Sequence, residues 1–153
     1  MKVKIEKIDH IGIAVKDLEA KIALWEGILG IKAGKIEELP ERGVKLAHLH
    51  VPHSPTVELV TPLNEQAAVA RFLAERGEGI HHFCFLVKNI ESAFKELKKK
   101  GVQFVQDKPY LGAGGSRIIF IHPRSLGGVL IELKEEKRQK GKLLRRPIQR
   151  VDG

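Results

Sequence analysis

The amino-acid sequence predicts an α+β fold: two tandem βαβββ modules with pseudo-two-fold symmetry, their strands joined in one curved mixed sheet. Three observations predict it. The chain repeats itself, because Ile8-Asp9-His10 and Ile80-His81-His82 each open an apolar alternation, and Val15-Lys16-Asp17-Leu18-Glu19 returns as Val87-Lys88-Asn89-Ile90-Glu91 at the same offset of 72. Each half closes with an acid inside an apolar run, Val57-Glu58-Leu59 and Ile131-Glu132-Leu133. The length of 153 residues, 42% hydrophobic and 30% charged, suits one domain with a real core, whereas either half alone is too small for a secure one.

The elements follow in order. Strands start at the two His-bearing runs. Asp17 and Asn89 are N-cap residues, whose short side chains can accept from an orphan amide of the first turn. Leu18, Ile22, Trp25 and Leu29 recur at helical spacing behind Asp17, as do Ile90, Phe94 and Leu97 behind Asn89. Gly30 and Gly101 stand where a left-handed C-terminal cap belongs. Three strand-like runs then follow in each half: Ile31–Ile36, Val44–Val51 and Thr56–Val60, and later Val102–Gln106, Arg117–His122 and Val129–Leu133. Residues 65–76, with Val69, Phe72 and Leu73, form an amphipathic linker helix. The domain is therefore expected over residues 1–133, with module 1 at about 5–63 and module 2 at about 79–133, and with a basic tail at 134–153.

Charge and composition exclude several classes. Of the net charge of +8, the tail carries +5, so the globular part is only mildly basic and nucleic acid is not an expected partner. Aromatics at 5% without basic interleaving argue against single-strand binding by stacking. The tail reads as solvated. Cys84 is the single cysteine, which excludes an intrachain disulfide and a cysteine-rich zinc module. No apolar run approaches the roughly 18 residues of a membrane span. The start MKVKIEKIDH has no apolar leader segment, so the expected location is cytoplasmic.

Strand parity sorts the polar residues. Ile11, Ile13 and Val15 form the face for the helix, and His10, Gly12 and Ala14 form the other. His82 shares a face with Cys84 and Leu86, while His81 goes with Phe83, Phe85 and Val87. His82 is therefore the partner of His10. The spacings His10 to Glu58 (48) and His82 to Glu132 (50) nearly match. A carboxylate in a central apolar strand is costly unless paired or bound to a cation. Two His and two Glu related by the repeat thus make a candidate divalent-metal site for Zn, Mn, Co, Ni or Fe(II), with the sheet wrapped around it.

These residues carry a resemblance. IDHIGIAVKDLE (8–19), LPERGVKLAHL (39–49), VELVTPL (57–63), GEGIHHFCF (77–85), LGAGGSRIIFIHP (111–123) and GGVLIEL (127–133) resemble the vicinal oxygen chelate superfamily of glyoxalase I, extradiol dioxygenases and bleomycin-resistance proteins. Within it they look most like the methylmalonyl-CoA epimerase family, and the likeness runs over residues 8–133. The resemblance implies epimerisation of (R)- and (S)-methylmalonyl-CoA by C2 proton transfer through a metal-stabilised enolate. It maps the ligands onto His10, Glu58, His82 and Glu132, with Glu58 where many epimerases have Gln, and it makes Glu132 the base. It further implies a divalent ion (Co first, with Mn, Zn or Ni as alternatives), an acyl-CoA substrate and a homodimer. The same ligand set would serve a glyoxalase I-like lactoylglutathione lyase, and the same fold a metal-free small-molecule binding module.

One position departs from the family. Where some bacterial relatives carry a second acid after the P-E-x-G turn, this chain has Leu46. His48 and His50 share its parity and are candidates for the second proton carrier. His122 matches the family motif and is a candidate brace of its loop. The loop Gly112-Ala113-Gly114-Gly115-Ser116-Arg117 reads either as a tight turn needing positive φ or as a cradle in which exposed amides, Ser116 and Arg117 hold a carboxylate or phosphate. Cys84 receives no role, since a buried strand thiol is usually packing.

Overall fold

The computed structural model describes residues 2–138 and builds the predicted α+β architecture. Module 1 runs β1 (Ile5–Ala14), α1 (Leu18–Leu29), β2 (Glu37–Leu39), β3 (Val44–Leu49) and β4 (Thr56–Pro62). After α2 (Ala68–Arg76), module 2 repeats it as β5 (Gly79–Val87), α3 (Ile90–Lys99), β6 (Tyr110–Leu111), β7 (Arg117–Ile121) and β8 (Ile131–Glu135). All eight strands form one sheet in the order β2-β3-β4-β1-β5-β8-β7-β6. Exchanging the modules leaves that order unchanged, which is the predicted pseudo-two-fold symmetry. The sheet is mixed: β1–β4 and β5–β8 are parallel, and the modules meet along the antiparallel β1–β5 pair.

The helix ends form as their sequences dictate. Asp17 accepts from the amide of Ala20 at 3.0 Å, and Asn89 from that of Ser92 at 2.9 Å. Gly30 and Gly101 take φ of 67° and 82°, the left-handed region that ends each helix. Leu18, Ile22 and Trp25 of α1 pack with Ile13, Val15 and Leu59. Ile90, Phe94 and Leu97 of α3 pack with Phe85, Val87, Ile119 and Leu133. Leu29, expected on the packing stripe, is instead 58% exposed at the end of its helix. On the opposite face of the sheet, Val69 and Leu73 of α2 cover Ala14, Leu46 and Val60. The helix α2 therefore closes one end of the face that His10 and His82 share.

Two strand assignments move. The runs Ile31–Ile36 and Val102–Gln106 make single bridges, Ala33 with Leu49 and Phe104 with Ile121. The short edge strands form later, at β2 and β6. Ile31, Ala33, Ile36, Val102 and Phe104 are apolar because they pack on the cores under α1 and α3, not because they pair. At the other end, β8 extends through Lys134 and Glu135, which pair with Leu86 and Arg117, so the sheet enters the first residues of the expected tail. The rest of that tail beyond Arg138 lies outside the described residues. Among the described residues no helix is long and apolar enough to cross a membrane.

Candidate metal centre

Strand register brings the four predicted residues to one point. Gly12 on β1 pairs with Glu58 on β4 and with His82 on β5, while Cys84 pairs with both His10 and Glu132. His10 Nε2 lies 3.0 Å from His82 Nε2, 3.4 Å from Glu58 Oε2 and 3.3 Å from Glu132 Oε2. His82 Nε2 lies 3.1 Å from Glu132 Oε2 and 3.8 Å from Glu58 Oε1. All four residues are buried. Donors bound to one ion at about 2.1 Å stand about 3 Å apart when adjacent. Donor atoms of His10, Glu58 and His82 lie within 4.8 Å of one another, a set that could hold a borderline divalent ion, and Glu132 stands against both rings.

Gly12 makes the approach possible. A Cβ at this position would stand 2.1 Å from His82 Cε1. Only glycine lets the His82 ring lie across β1 toward His10.

Electrostatics bind the cluster together. Burial disfavours a charged His10, but hydrogen bonds to Asp9, Cys84 and Glu132 and the charge of Glu58 outweigh it, and its pKa is raised to about 12. Burial would raise Glu132, yet hydrogen bonds and charge from His10 and His82 hold it below the usual carboxylate range. Glu58 is likewise held low against its burial, chiefly by His48 and by the charge of His10 and His82. Cys84, fully buried, has its thiol pushed up to about 12 by burial and stays inert.

Neighbouring side chains hold the two rings. Asp9 Oδ2 accepts from His10 Nδ1 at 2.8 Å and from Lys134 Nζ at 3.2 Å. A carboxylate only accepts here, so Nδ1 carries a proton and Nε2 faces the cluster. His81 Nδ1 lies 3.0 Å from His82 Nδ1. Alternation predicted His81 on the α3 face with Phe83, and this is corrected: between Gly12 and Ile13 the β1–β5 register slips past His81. The bulge turns its ring against His82 and against Phe72 of α2, with ring centroids 4.9 Å apart. Neither Asp9 nor His81 was singled out from the sequence, although both precede the two histidines at the repeat offset of 72.

The remaining candidates separate cleanly. Leu46 is buried under α2. His48 pairs with Glu58 across β3–β4, and its Nε2 stands 3.0 Å from Glu58 Oε2 with the side chain 30% exposed. His50 is exposed and near Gly34 instead. His122 accepts from the amide of Arg124 at 3.1 Å, bracing the turn Pro123–Leu126. Gly114 and Gly115 take φ of 63° and 76° in a tight turn, and Ser116 donates to Ala113 within it. Arg117 is committed to an ion pair with Glu91, so it is not the free cation that the cradle reading required. A cleft of ≈ 460 Å³, bordered by Phe72, Arg76, His81, His82 and Val129, opens beside the cluster.

The same architecture is found in known proteins. The mitochondrial methylmalonyl-CoA epimerase of Homo sapiens is 37% identical over 130 residues, covering 84% of this chain and 73% of the human protein. The ethylmalonyl-CoA/methylmalonyl-CoA epimerase of Cereibacter sphaeroides is 35% identical, covering 86% of this chain and 98% of its own. A solved structure of a Streptomyces coelicolor methylmalonyl-CoA epimerase variant, in complex with 2-nitronate-propionyl-CoA, superimposes with a TM-score of 0.84 at 34% identity, covering 88% of this chain and 100% of that one. The family model matches residues 9–120, and the paired modules with their inward His and Glu residues belong to a member of the Glyoxalase/Bleomycin resistance protein/Dioxygenase superfamily.

Proposed function

We propose that this protein epimerises methylmalonyl-CoA at C2, with His10, Glu58, His82 and Glu132 as ligands of a divalent ion and Glu132 as a base. The observation that carries the reading is the meeting of these four side chains, two from each module, in a chain whose relatives are named as epimerases of this substrate. The C2 proton of methylmalonyl-CoA lies between a thioester and a carboxylate. A bound divalent ion would act as a Lewis acid, stabilising negative charge that develops on the substrate oxygens. Cobalt is the preferred ion, with manganese, zinc and nickel as alternatives.

The chain's own residues do the rest. His10 and His82 fix the two carboxylates, and Asp9 and His81 fix the two rings. Glu132, in module 2, takes the proton from one face of C2. Epimerisation needs a proton delivered to the other face, so a second group must stand across the cluster. His48, in module 1 and bonded to Glu58, is that group; Leu46 has no proton to exchange. The reading carries a homodimer in the cytoplasm, which light scattering tests, and the single domain expected over residues 1–133, whose last strand runs on to Glu135.

The test is exchange of the C2 proton of methylmalonyl-CoA with solvent deuterium, before and after Co(II) is restored to chelated protein. Metal-dependent exchange coupled to epimerisation is the expected result. Stoichiometric metal with no exchange would move the substrate to a glutathione hemithioacetal or another chelating acid. Neither metal nor exchange would leave a binding module.

A further inference from the structure

Arg42 is a cation that the cluster does not use. It belongs to the turn Pro40–Arg42 of module 1, between β2 and β3, and it is half-buried. Its guanidinium carbon stands 5.8 Å from the ring centroid of Phe120 in module 2. That ring belongs to the site: Phe120 pairs with Glu132 across β7–β8, and its centroid is 5.8 Å from that of His82. The guanidinium thus crosses from one module to the other above the strand pair that carries Glu132. The guanidinium also hydrogen-bonds the Tyr110 phenol, and its charge acts on that phenol and on the His81 ring. Among the described residues no carboxylate pairs with it.

A half-buried guanidinium held by an aromatic face and one phenol keeps further donors of its fork available, and these match the oxygens of a carboxylate or a phosphate. Arg76 borders the cleft from α2, over the ring of Phe72, and three other basic groups are tied to acids. Lys134 is bonded to Asp9, Arg117 to Glu91 and Lys45 to Glu19. We propose that Arg42 receives an oxyanion of the substrate at the mouth of the site, reaching it from module 1 across Phe120 of module 2. The proposal rests on the epimerase reading. That substrate offers two sources of the same chemistry, the free carboxylate of its acyl group and the phosphates of its CoA.

The experiment separates them without turnover. Metal-loaded wild type and Arg42→Gln are titrated calorimetrically with CoA, which lacks the acyl carboxylate, and with methylmalonate, which lacks the phosphates. Metal content and thermal stability are measured on the same samples. A charge-assisted pair contributes about 1.5–3 kcal/mol, so one of the two probes is expected to bind about 10- to 100-fold more weakly to the variant, with metal content unchanged. Weakened CoA binding assigns the phosphates and weakened methylmalonate binding the carboxylate. Arg42→Lys keeps the charge but not the fork and recovers only part of the loss. Wild-type affinity of Arg42→Gln for both probes overturns the proposal alone. A wild type that binds neither probe overturns it together with the epimerase reading, and a variant that loses its metal makes Arg42 structural.

Discussion

His81 stands to His82 as Asp9 stands to His10: each residue folds back on its neighbour's Nδ1, at 3.0 Å and 2.8 Å, and leaves Nε2 turned inward. The two supports differ in kind. Asp9 is an anion held low, at a pKa of about 2: burial raises it, but the hydrogen bond to His10 and the charge of Lys134 prevail. His81 is a neutral ring with its pKa lowered to about 4, by burial first and then by the charge of His82. When an ion takes His82 Nε2, the His82 proton lies on Nδ1 and is donated to His81.

His81→Phe keeps the ring against Phe72 but removes the acceptor. Metal affinity should fall about 10- to 100-fold, as for other outer partners of ligating histidines, while the fold stays intact. Competition with a chromophoric chelator measures this. Wild-type affinity in His81→Phe would reduce His81 to packing, which is what strand alternation alone predicted for it.

Gly12→Ala tests the close approach of His82 to β1. The added Cβ would meet the His82 ring at 2.1 Å, so the ring must leave the cluster. Loss of stoichiometric metal is expected, with a destabilisation of about 1–3 kcal/mol from overpacking. Gly27→Ala is the control: it lies within α1, where nothing stands within 4 Å, and it should stabilise by about 1 kcal/mol without touching metal content. Metal analysis and thermal melts of both variants check the pair.

The repeat made the centre of this molecule legible. Sequence positions at an offset of 72 placed His10 and His82 on matching strands, and Asp17 and Asn89 on matching caps, because local periodicity and capping govern both. What it could not show depends on long-range register. The bond between Lys134 and Asp9 spans 125 residues, and Arg42 reaches Phe120 from the other module. His81 escaped because one bulge overturns alternation at a single residue. The edge strands were misplaced because burial in a core and pairing in a sheet leave the same apolar signature in Ile31–Ile36 and Val102–Gln106.

The pKa of Asp9 predicts how the metal-free protein meets acid. Its folded value of about 2 is below the unfolded one, so its stabilisation is present above about pH 4 and is lost as pH falls toward 2. Asp9→Asn should be less stable than wild type at pH 6 and should lose less between pH 4 and 2, as thermal melts across that range would show. His10 has the opposite sign. Raised to about 12, it stabilises the metal-free protein fully below its unfolded value near 6.5, and the contribution disappears only as pH rises through the folded value. At pH 7 His10 therefore holds a proton that an incoming ion must displace. Calorimetry in buffers of different ionisation enthalpy should find about one proton released per ion; a value of zero would contradict the protonated His10.

His48 and Glu132 can be told apart by what each removes. Glu132→Gln takes away one base and one ligand, so exchange and epimerisation should stop together. His48→Gln is subtler, because the Gln amide can still donate to Glu58 and keep that carboxylate in place. Glu132 in this variant still works its own face of C2. Solvent deuterium should then enter one epimer of methylmalonyl-CoA at a rate within about tenfold of wild type, while inversion falls about 100- to 10,000-fold, the usual range for a missing acid–base group. Exchange without inversion would place His48 on the opposite face. If inversion and exchange fell in parallel with metal content intact, His48 would act only through Glu58. If neither changed, the second proton would have another carrier.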